Sequence, residues 1–244
     1  MTVWVVSGTG TEVGKTVATA ALAATALAAG RTVAVLKPAQ TGVPAGEPGD
    51  AAEAARLGGP VTTAELARYP EPLAPGTAAR RAGMAPLRPV EIAEAAQKLA
   101  TEHDLVLVEG AGGLLVRLDE EGATLADAAR LLGAPVVLVV PAGLGTLNTA
   151  ELSAEALRAR EVELRGLVLG SWPRRPDLAE RCNLADLPAV TGAPLLGAVP
   201  EGAGALRPVD FRAAAPGWLA PELHGSWQAT EFTAREAAPP YTAG

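Results

Sequence analysis

Residues 7–17 read SGTGTEVGKTV, and this stretch decides the fold. It follows a short apolar run at Val3–Val6 and precedes an alanine-rich segment, so it joins a buried strand to a helix. It ends in Gly-Lys-Thr, as does the phosphate-binding pattern G-x-x-x-x-G-K-[ST]. Aligned on this ending, the common pattern has its first glycine at position 9, which is threonine in this chain. The glycine lies one residue earlier, at Gly8. The loop is therefore one residue longer than that pattern.

The chemistry of this loop favours a nucleoside triphosphate bound with Mg²⁺. Glycines at positions 8, 10 and 14 allow backbone N–H groups to surround an anion. The helix that follows adds the positive end of its dipole. Lys15 can reach the outer phosphates, and the Thr16 hydroxyl can bind Mg²⁺.

Two alternatives to this interpretation are less favoured. The first is a glycine-rich turn that binds nothing. It is less favoured because packing does not explain a Gly-Lys-Thr sequence between a strand and a helix. A dinucleotide-binding fold needs the pattern G-x-G-x-x-G and an acidic residue at the end of the second strand. This chain has Val13 at the third glycine position and Lys37 at the end of the second predicted strand.

Composition and charge narrow the class of protein. The chain has 244 residues, of which 49% are hydrophobic and only 3% aromatic, so we expect one domain with a core of Ala, Val and Leu. The formal net charge of −7 argues against binding to a nucleic-acid backbone. Cys182 is the single cysteine, which excludes a disulfide within the chain and fits a reducing, cytoplasmic setting. We expect no membrane segment, because no apolar run approaches the roughly 18 residues needed.

Apolar runs alternate with helical patterns along the chain. The predicted strands are residues 2–6, 31–36, 105–108, 135–140, 164–169 and 195–199, and the predicted helices include 15–29, 89–102, 125–132 and 149–160. This alternation predicts an α/β fold with a mostly parallel sheet, helices on both faces and a P-loop NTPase-like architecture. We expect a single domain over residues 1–212 and a loosely attached tail over 213–244.

Charged residues follow the predicted strands, where ligands of a parallel sheet bind. Lys37 and Glu109 each end a buried strand, and Thr41 lies four residues after the lysine. Lys37 would place a second fixed cation opposite Lys15. Such a pair suits a reaction in which negative charge moves between a phosphate and an acceptor. The Glu109 carboxylate is a suitable ligand for Mg²⁺. Asp50 lies at the beginning of a predicted helix, where it can cap the helix and also face the metal.

Five blocks together resemble one family, the dethiobiotin synthetases. The blocks are GTGTEVGKT at 8–16, KPAQTG at 37–42, VEGAGGLLV at 108–116, LGTLNTAEL at 144–152 and GAVPEG at 197–202. The resemblance covers residues 2–212. It implies a C–N-forming cyclo-ligase of biotin biosynthesis that uses 7,8-diaminononanoate, CO₂ and ATP with Mg²⁺. The reaction implied proceeds through a carbamate and a carbamic-phosphoric anhydride.

The resemblance also implies roles for individual residues. Catalytic roles fall to Lys37, Lys15 and Thr11, and Mg²⁺ ligation to Thr16, Asp50 and Glu109. Nucleotide binding falls to Gly8, Thr9, Gly10, Glu12, Val13, Gly14, Lys15, Thr16, Val17, Gly112, Gly170, Ser171, Pro200, Glu201 and Gly202. Substrate binding falls to Thr11, Lys37, Thr41, Leu144, Gly145, Leu147 and Asn148.

Family members are homodimers with the substrate at the subunit interface, and residues 144–148 match the segment that the partner chain contributes. One departure concerns the nucleotide base: the family often has asparagine where this chain has Ser171, so other nucleoside triphosphates stay open. The adjacent Trp172 either lies near the base or packs against the loop, and packing is the favoured interpretation.

Two other functions compete with the ligase. A nucleotide switch of the partition and septum-placing type would need a second lysine at position 10, which is Gly10, and a surface for DNA or membrane. A corrin-type amidating synthetase would bring a glutaminase cysteine, and Cys182 is not in such a context.

Overall fold

The apolar runs pair side by side in one parallel sheet. The computed structural model describes residues 2–239, and within them the sheet has seven strands in the order β3-β2-β4-β1-β5-β6-β7. The strands are β1 (Thr2–Gly8), β2 (Val33–Thr41), β3 (Thr62–Tyr69), β4 (Leu105–Glu109), β5 (Val136–Val140), β6 (Leu164–Trp172) and β7 (Leu195–Pro200). The first strand therefore lies at the centre, and its glycine-rich loop emerges at the carboxyl edge of the sheet.

Helices cover both faces of the sheet. The α-helices within the described residues are α1 (Lys15–Ala28), α2 (Asp50–Gly58), α3 (Pro75–Ala82), α4 (Pro89–Ala100), α5 (Leu125–Leu132), α6 (Thr146–Arg158), α7 (Leu178–Thr191), α8 (Pro208–Ala214) and α9 (Ala229–Glu236). One apolar core lies between the sheet and α1, α2 and the C-terminal elements, and a second lies between the sheet and α4 and α5. Within residues 2–239, no helix combines the length and apolar character needed to cross a membrane.

All six predicted strands are present, but the second one is longer than predicted. β2 continues through Pro38 to Thr41 because the edge strand β3 pairs with it beyond the end of β4. The prediction that this strand ends at Leu36 is therefore wrong, and Lys37 lies within it. The register pairs Leu36 with Val108, which places the two following residues, Lys37 and Glu109, beside each other.

The seventh strand, β3, was not predicted. It is an edge strand with mostly half-buried or exposed residues, so it lacks the apolar run that marked the others. α3 and α7 were likewise not predicted, and α7 has Pro188 within it.

The C-terminal segment is packed, so the prediction of a loosely attached tail is wrong for residues 213–236. Leu219 and Leu223 are fully buried, and Trp227 and Phe232 are each 8% exposed. Phe232 meets Trp172 edge to face, with ring centroids 5.3 Å apart. Part of the segment is formed by short 3₁₀ turns, which leave no helical period in the sequence, and the helix α9 that carries Phe232 has only eight residues. Trp172 is a buried core residue, and the ring that it contacts belongs to the C-terminal segment.

Candidate active site

The glycine-rich loop is held against the neighbouring strand end by close backbone contact. Gly14 has φ of 91° and precedes α1, and a Cβ atom there would lie 2.5 Å from the carbonyl oxygen of Gly170. A Cβ atom on Gly170 would lie 1.9 Å from the Val13 oxygen. These two glycines therefore allow the loop to pack directly on the end of β6, which fixes its position.

Lys15 begins α1 and folds over its own loop. Its Nζ donates a hydrogen bond of 2.8 Å to the Gly10 oxygen, and the residue is 8% exposed. Burial, and then the positive charge of Lys37, lower the pKa of Lys15 to about 8, although Glu109 and Asp50 act in the opposite direction. The ammonium is thus weakly compensated by the protein, which suits a group that meets an anionic ligand.

Lys37 is the most enclosed cation of the site. Its Nζ lies 2.6 Å from Asp50 Oδ2, 2.9 Å from Glu109 Oε1 and 3.0 Å from the Gly110 oxygen. The residue is 2% exposed. Burial alone would lower the pKa of Lys37, but the charges of Glu109 and Asp50 outweigh burial and raise it above the ordinary value. Lys37 is therefore protonated at neutral pH.

Glu109 joins the loop to the ion pairs. Its Oε1 accepts a hydrogen bond of 2.9 Å from the Thr16 hydroxyl in addition to the one from Lys37. Its Oε2 is buried and has no hydrogen-bond partner within residues 2–239. A buried carboxylate oxygen without a partner is costly unless a ligand completes it.

The oxygen atoms of Thr16, Asp50 and Glu109 therefore fit a hard divalent cation. Among the described residues there is no cluster of three or more His, Cys, Asp or Glu side chains of the kind that holds a metal alone. Mg²⁺ does not need one, since it is usually held by one or two carboxylates, water and substrate phosphates. The orphaned Oε2 of Glu109 is the observation that supports this fit.

Gln40 contributes to the site and was missed from the sequence. Its side chain is 3% exposed, and its Oε1 accepts a 2.7 Å hydrogen bond from the backbone N–H of Asp50. This bond ties the beginning of α2 to β2, so it places Asp50 within reach of Lys37. A polar residue within a buried strand end was the available signal, because Gln40 lies between Lys37 and Thr41.

One cavity of about 700 Å³ is lined by all the residues predicted to be catalytic or to bind the metal, and by some of those predicted to bind nucleotide or substrate. The predicted residues that line it are Thr11, Glu12, Gly14, Lys15, Thr16, Val17, Lys37, Thr41, Asp50, Glu109 and Gly112. Its size lies within the roughly 300–1,000 Å³ of small-molecule sites. An apolar wall that the sequence did not indicate faces them, formed by Val43, Pro72–Pro75 and Val116.

The other predicted residues lie outside this lining. Gly8, Thr9, Gly10 and Val13 form the rear of the loop, and Gly170 supports it. Ser171, Pro200, Glu201 and Gly202 lie at or just after the ends of β6 and β7, where the Glu201 N–H donates to the Trp172 oxygen. Leu144, Gly145, Leu147 and Asn148 lie at the beginning of α6, and Leu144 is 92% exposed.

A loop of the phosphate-binding type lies at the carboxyl edge of a parallel sheet, so this chain is a P-loop NTPase-like protein. Its fold is shared with the septum site-determining protein MinD of Pyrococcus horikoshii, solved as a complex with Mg-ADP, at a TM-score of 0.56 and 19% identity. That alignment covers 87% of this chain and 90% of the other. At this identity the likeness concerns the fold alone.

Sequence relatives define the family more narrowly. The family model described as an AAA domain matches residues 2–206. The ATP-dependent dethiobiotin synthetase BioD of Streptomyces coelicolor is 72% identical over 232 residues, covering 95% of this chain and 98% of the relative. The protein of the same name from Saccharopolyspora erythraea is 69% identical over 227 residues, covering 93% and 99%. This chain belongs to the ATP-dependent dethiobiotin synthetase family.

The alignment also bears on the C-terminal segment. Coverage of 95% of the chain requires that part of residues 213–244 has a counterpart in the S. coelicolor relative. The similarity to the family therefore extends beyond residues 2–212, the range over which the sequence motifs indicated it.

Proposed function

We propose that this chain catalyses the ATP-dependent conversion of 7,8-diaminononanoate and CO₂ into dethiobiotin, a step of biotin biosynthesis. The observation that carries the proposal is the convergence of Lys15, Lys37, Asp50 and Glu109 on one cavity of about 700 Å³. These residues lie together at one edge of the sheet. The two cations can bind a triphosphate and an anionic acceptor, and the two carboxylates can bind a divalent cation. Membership of the dethiobiotin synthetase family supports the same conclusion.

The proposed roles follow from the position of each side chain. The loop amides and Lys15 bind the outer phosphates, because they lie at the positive end of α1. Thr16, Asp50 and Glu109 hold Mg²⁺, which supplies neutralisation of phosphate charge when bound. Lys37 and Thr11 stabilise the acceptor, and Thr41 binds the diamine substrate.

The chemistry requires placement and charge more than covalent help from the protein. One amine of the substrate adds to CO₂ and loses a proton, which gives a carbamate. A carbamate oxygen attacks the γ-phosphorus, the bond to the β-phosphate oxygen breaks, and ADP leaves with that electron pair. The second amine then attacks the carbonyl carbon of the mixed anhydride and loses its proton, and phosphate leaves as the cyclic urea closes.

The base-binding and substrate-tail residues complete the proposal. Ser171, Pro200, Glu201 and Gly202 face the nucleotide base from the neighbouring strand ends, and Gly112 borders the phosphates. Residues 144–148 serve the substrate of a partner subunit in a homodimer, because in their own chain they lie away from the main cavity. We further propose residues 1–212 as the catalytic domain and the cytoplasm as the place where it acts.

A product assay tests this function. The protein is incubated with 7,8-diaminononanoate, bicarbonate, Mg²⁺ and each nucleoside triphosphate in turn, and the cyclic urea is measured by mass spectrometry. We expect dethiobiotin and phosphate in equal amounts, both dependent on the diamine. Phosphate release that is the same with and without the diamine, and yields no cyclic urea, would contradict the proposal and favour a nucleotide switch.

A further inference from the structure

Three protein oxygens surround the Lys37 ammonium. It donates hydrogen bonds to Glu109 Oε1 at 2.9 Å and to the Gly110 carbonyl at 3.0 Å, and it forms an ion pair with Asp50 Oδ2 at 2.6 Å. An ammonium group has three donors, and here two of them are bound within the protein while a second carboxylate lies against the group. In this arrangement the charge of Lys37 is directed to protein oxygens rather than to a carbamate or a phosphate, although its side chain lines the cavity in which both must react.

The partners of Lys37 are the two carboxylates that fit Mg²⁺. Glu109 is 1% exposed, so its charge requires a compensating cation whether or not a metal is bound. Lys37 supplies that cation here. A divalent ion on the same carboxylates repels the ammonium and takes its acceptors, because both cannot hold the same oxygen atoms at contact distance.

We propose that Lys37 is an exchangeable internal counter-ion. It neutralises Asp50 and Glu109 in the metal-free protein and turns into the cavity when a divalent cation binds to those carboxylates. The lysine then delivers its charge to the acceptor only in the complex that also holds the metal. This inference rests on the proposed function, since it assigns the Mg²⁺ position to these carboxylates.

The lysine side chain can make this movement. Lysine carries its charge on a flexible stem of four carbons, and the Lys37 backbone is fixed in β2, so its head can turn without a change in the sheet. Lys15 is not held in the same way, because its Nζ donates to the Gly10 oxygen rather than to a carboxylate. The two lysines therefore provide a matched pair for a test.

The first test measures the affinity of the nucleotide-free protein for Mn²⁺, used as a probe for Mg²⁺, by the electron paramagnetic resonance signal of the free ion. We expect Lys37→Met to bind Mn²⁺ about tenfold or more tightly than the wild type, because a competing buried charge has been removed. Lys15→Met removes the same charge but frees no carboxylate oxygen, so its gain is expected to be about threefold or less. Equal gains in the two variants would overturn the proposal.

The second test uses the wild-type protein and does not depend on the folding of a variant. The NMR signals of the Lys37 side chain are assigned by their absence from the spectrum of Lys37→Arg. With a non-hydrolysable ATP analogue, addition of Mg²⁺ is expected to shift the Lys37 Cε–Hε signal and speed the exchange of its ammonium protons. Signals that stay unchanged at saturating Mg²⁺ would overturn the proposal, whatever the Mn²⁺ result.

These outcomes are separate from those of the product assay. If the wild type makes cyclic urea and the Lys37 signals do not move, only the counter-ion exchange fails. If no cyclic urea forms with any triphosphate, the proposed function fails, and the affinity and NMR results still report on the carboxylate pair.

Discussion

Two lysines in one cavity differ in how the protein compensates their charge. Both are buried, yet the pKa of Lys15 is lowered to about 8 and the pKa of Lys37 is raised. The difference lies in the neighbours, because Lys37 contacts two carboxylates and Lys15 contacts only a backbone carbonyl. Lys15 is therefore suited to bind an incoming anion directly. Lys37 is suited to bind an anion only after it has left its two carboxylate partners.

Substitution of Lys37 by alanine separates turnover from nucleotide binding. We expect kcat to fall by about 100-fold or more, because a positive charge at the reacting group is removed. The dissociation constant of ATP is expected not to rise, since Lys15 and the loop amides hold the phosphates. Equilibrium titration with a fluorescent ATP analogue and steady-state kinetics measure the two effects. A loss of binding that matches the loss of turnover would contradict this division of roles.

Lys15 is expected to make stability depend on pH. Its folded-state pKa of about 8 lies below the unfolded value of 10.5, so the unfolded chain binds the extra proton between these values. The resulting destabilisation is complete below pH 8 and disappears as the pH rises towards 10.5. Lys15→Met should therefore be more stable than wild type at pH 7, with a free energy of unfolding higher by about 1–3 kcal/mol. This difference should shrink as the pH rises from 8 towards 10.5. Thermal unfolding across this range measures it.

The control for this prediction is the exposed Lys98 on α4. Lys98→Met is expected to give a difference from wild type that is small and the same at every pH. A constant gap for Lys15→Met as well would show that burial does not perturb this lysine.

The sequence located the main charged residues but not the bonds between them. Lys37 and Glu109 could be predicted because each follows an apolar run, and parallel strands bring such residues to one edge. The contact of Lys37 with the Gly110 carbonyl and that of Gln40 with the Asp50 N–H could not be predicted. They depend on the register of β2 against β4 and on the path of the chain between residues 41 and 50, and neither leaves a local pattern.

At the scale of elements, the loop gains its shape from the neighbouring strand. Gly14 and Gly170 are far apart in sequence, and each would place a Cβ atom against the backbone of the other segment. Local sequence explains why the loop is glycine-rich, but only the structure explains why β6 must also have a glycine, Gly170, near its end. Edge strand β3 shows the same limit, since it is specified by pairing with β2 rather than by an apolar run of its own.

Gly170→Ala is expected to disturb the loop through this contact. The added Cβ atom would lie 1.9 Å from the Val13 oxygen, so the loop and β6 must separate. We expect a loss of stability of about 1–3 kcal/mol or more, together with weaker ATP binding. Calorimetry of unfolding and of ATP binding measures both.

Gly143→Ala serves as the matched control for this change. Apart from Gly143 and its two chain neighbours, no heavy atom of the described residues lies within 4 Å of a Cβ built on Gly143, so neither property should change. If Gly170→Ala binds ATP as tightly as this control does, the contact with β6 does not shape the loop.

At the scale of the whole molecule, the C-terminal segment is part of the folded core, which the sequence did not predict. Leu219, Leu223 and Trp227 belong to the same core as α1 and β6, although they come from a region rich in Pro and Gly. Sequence periodicity detects regular helices and strands, and it cannot detect apolar residues that reach a core from short turns. The segment packs against Trp172, the residue after Ser171, so the proposed base-binding strand end is supported from behind.

The proposed homodimer makes a prediction about mixtures of inactive chains. Residues 144–148 do not line the main cavity of their own chain, and Leu144 is 92% exposed, so Leu144→Asp should fold normally. If the partner supplies this segment, both Leu144→Asp and Lys37→Ala chains are inactive alone. A mixed dimer has one site with an intact Lys37 and an intact Leu144, so an equal mixture that exchanges freely recovers about 25% of wild-type activity per chain. No recovery after refolding together, or full activity of Leu144→Asp alone, would contradict a site shared between subunits.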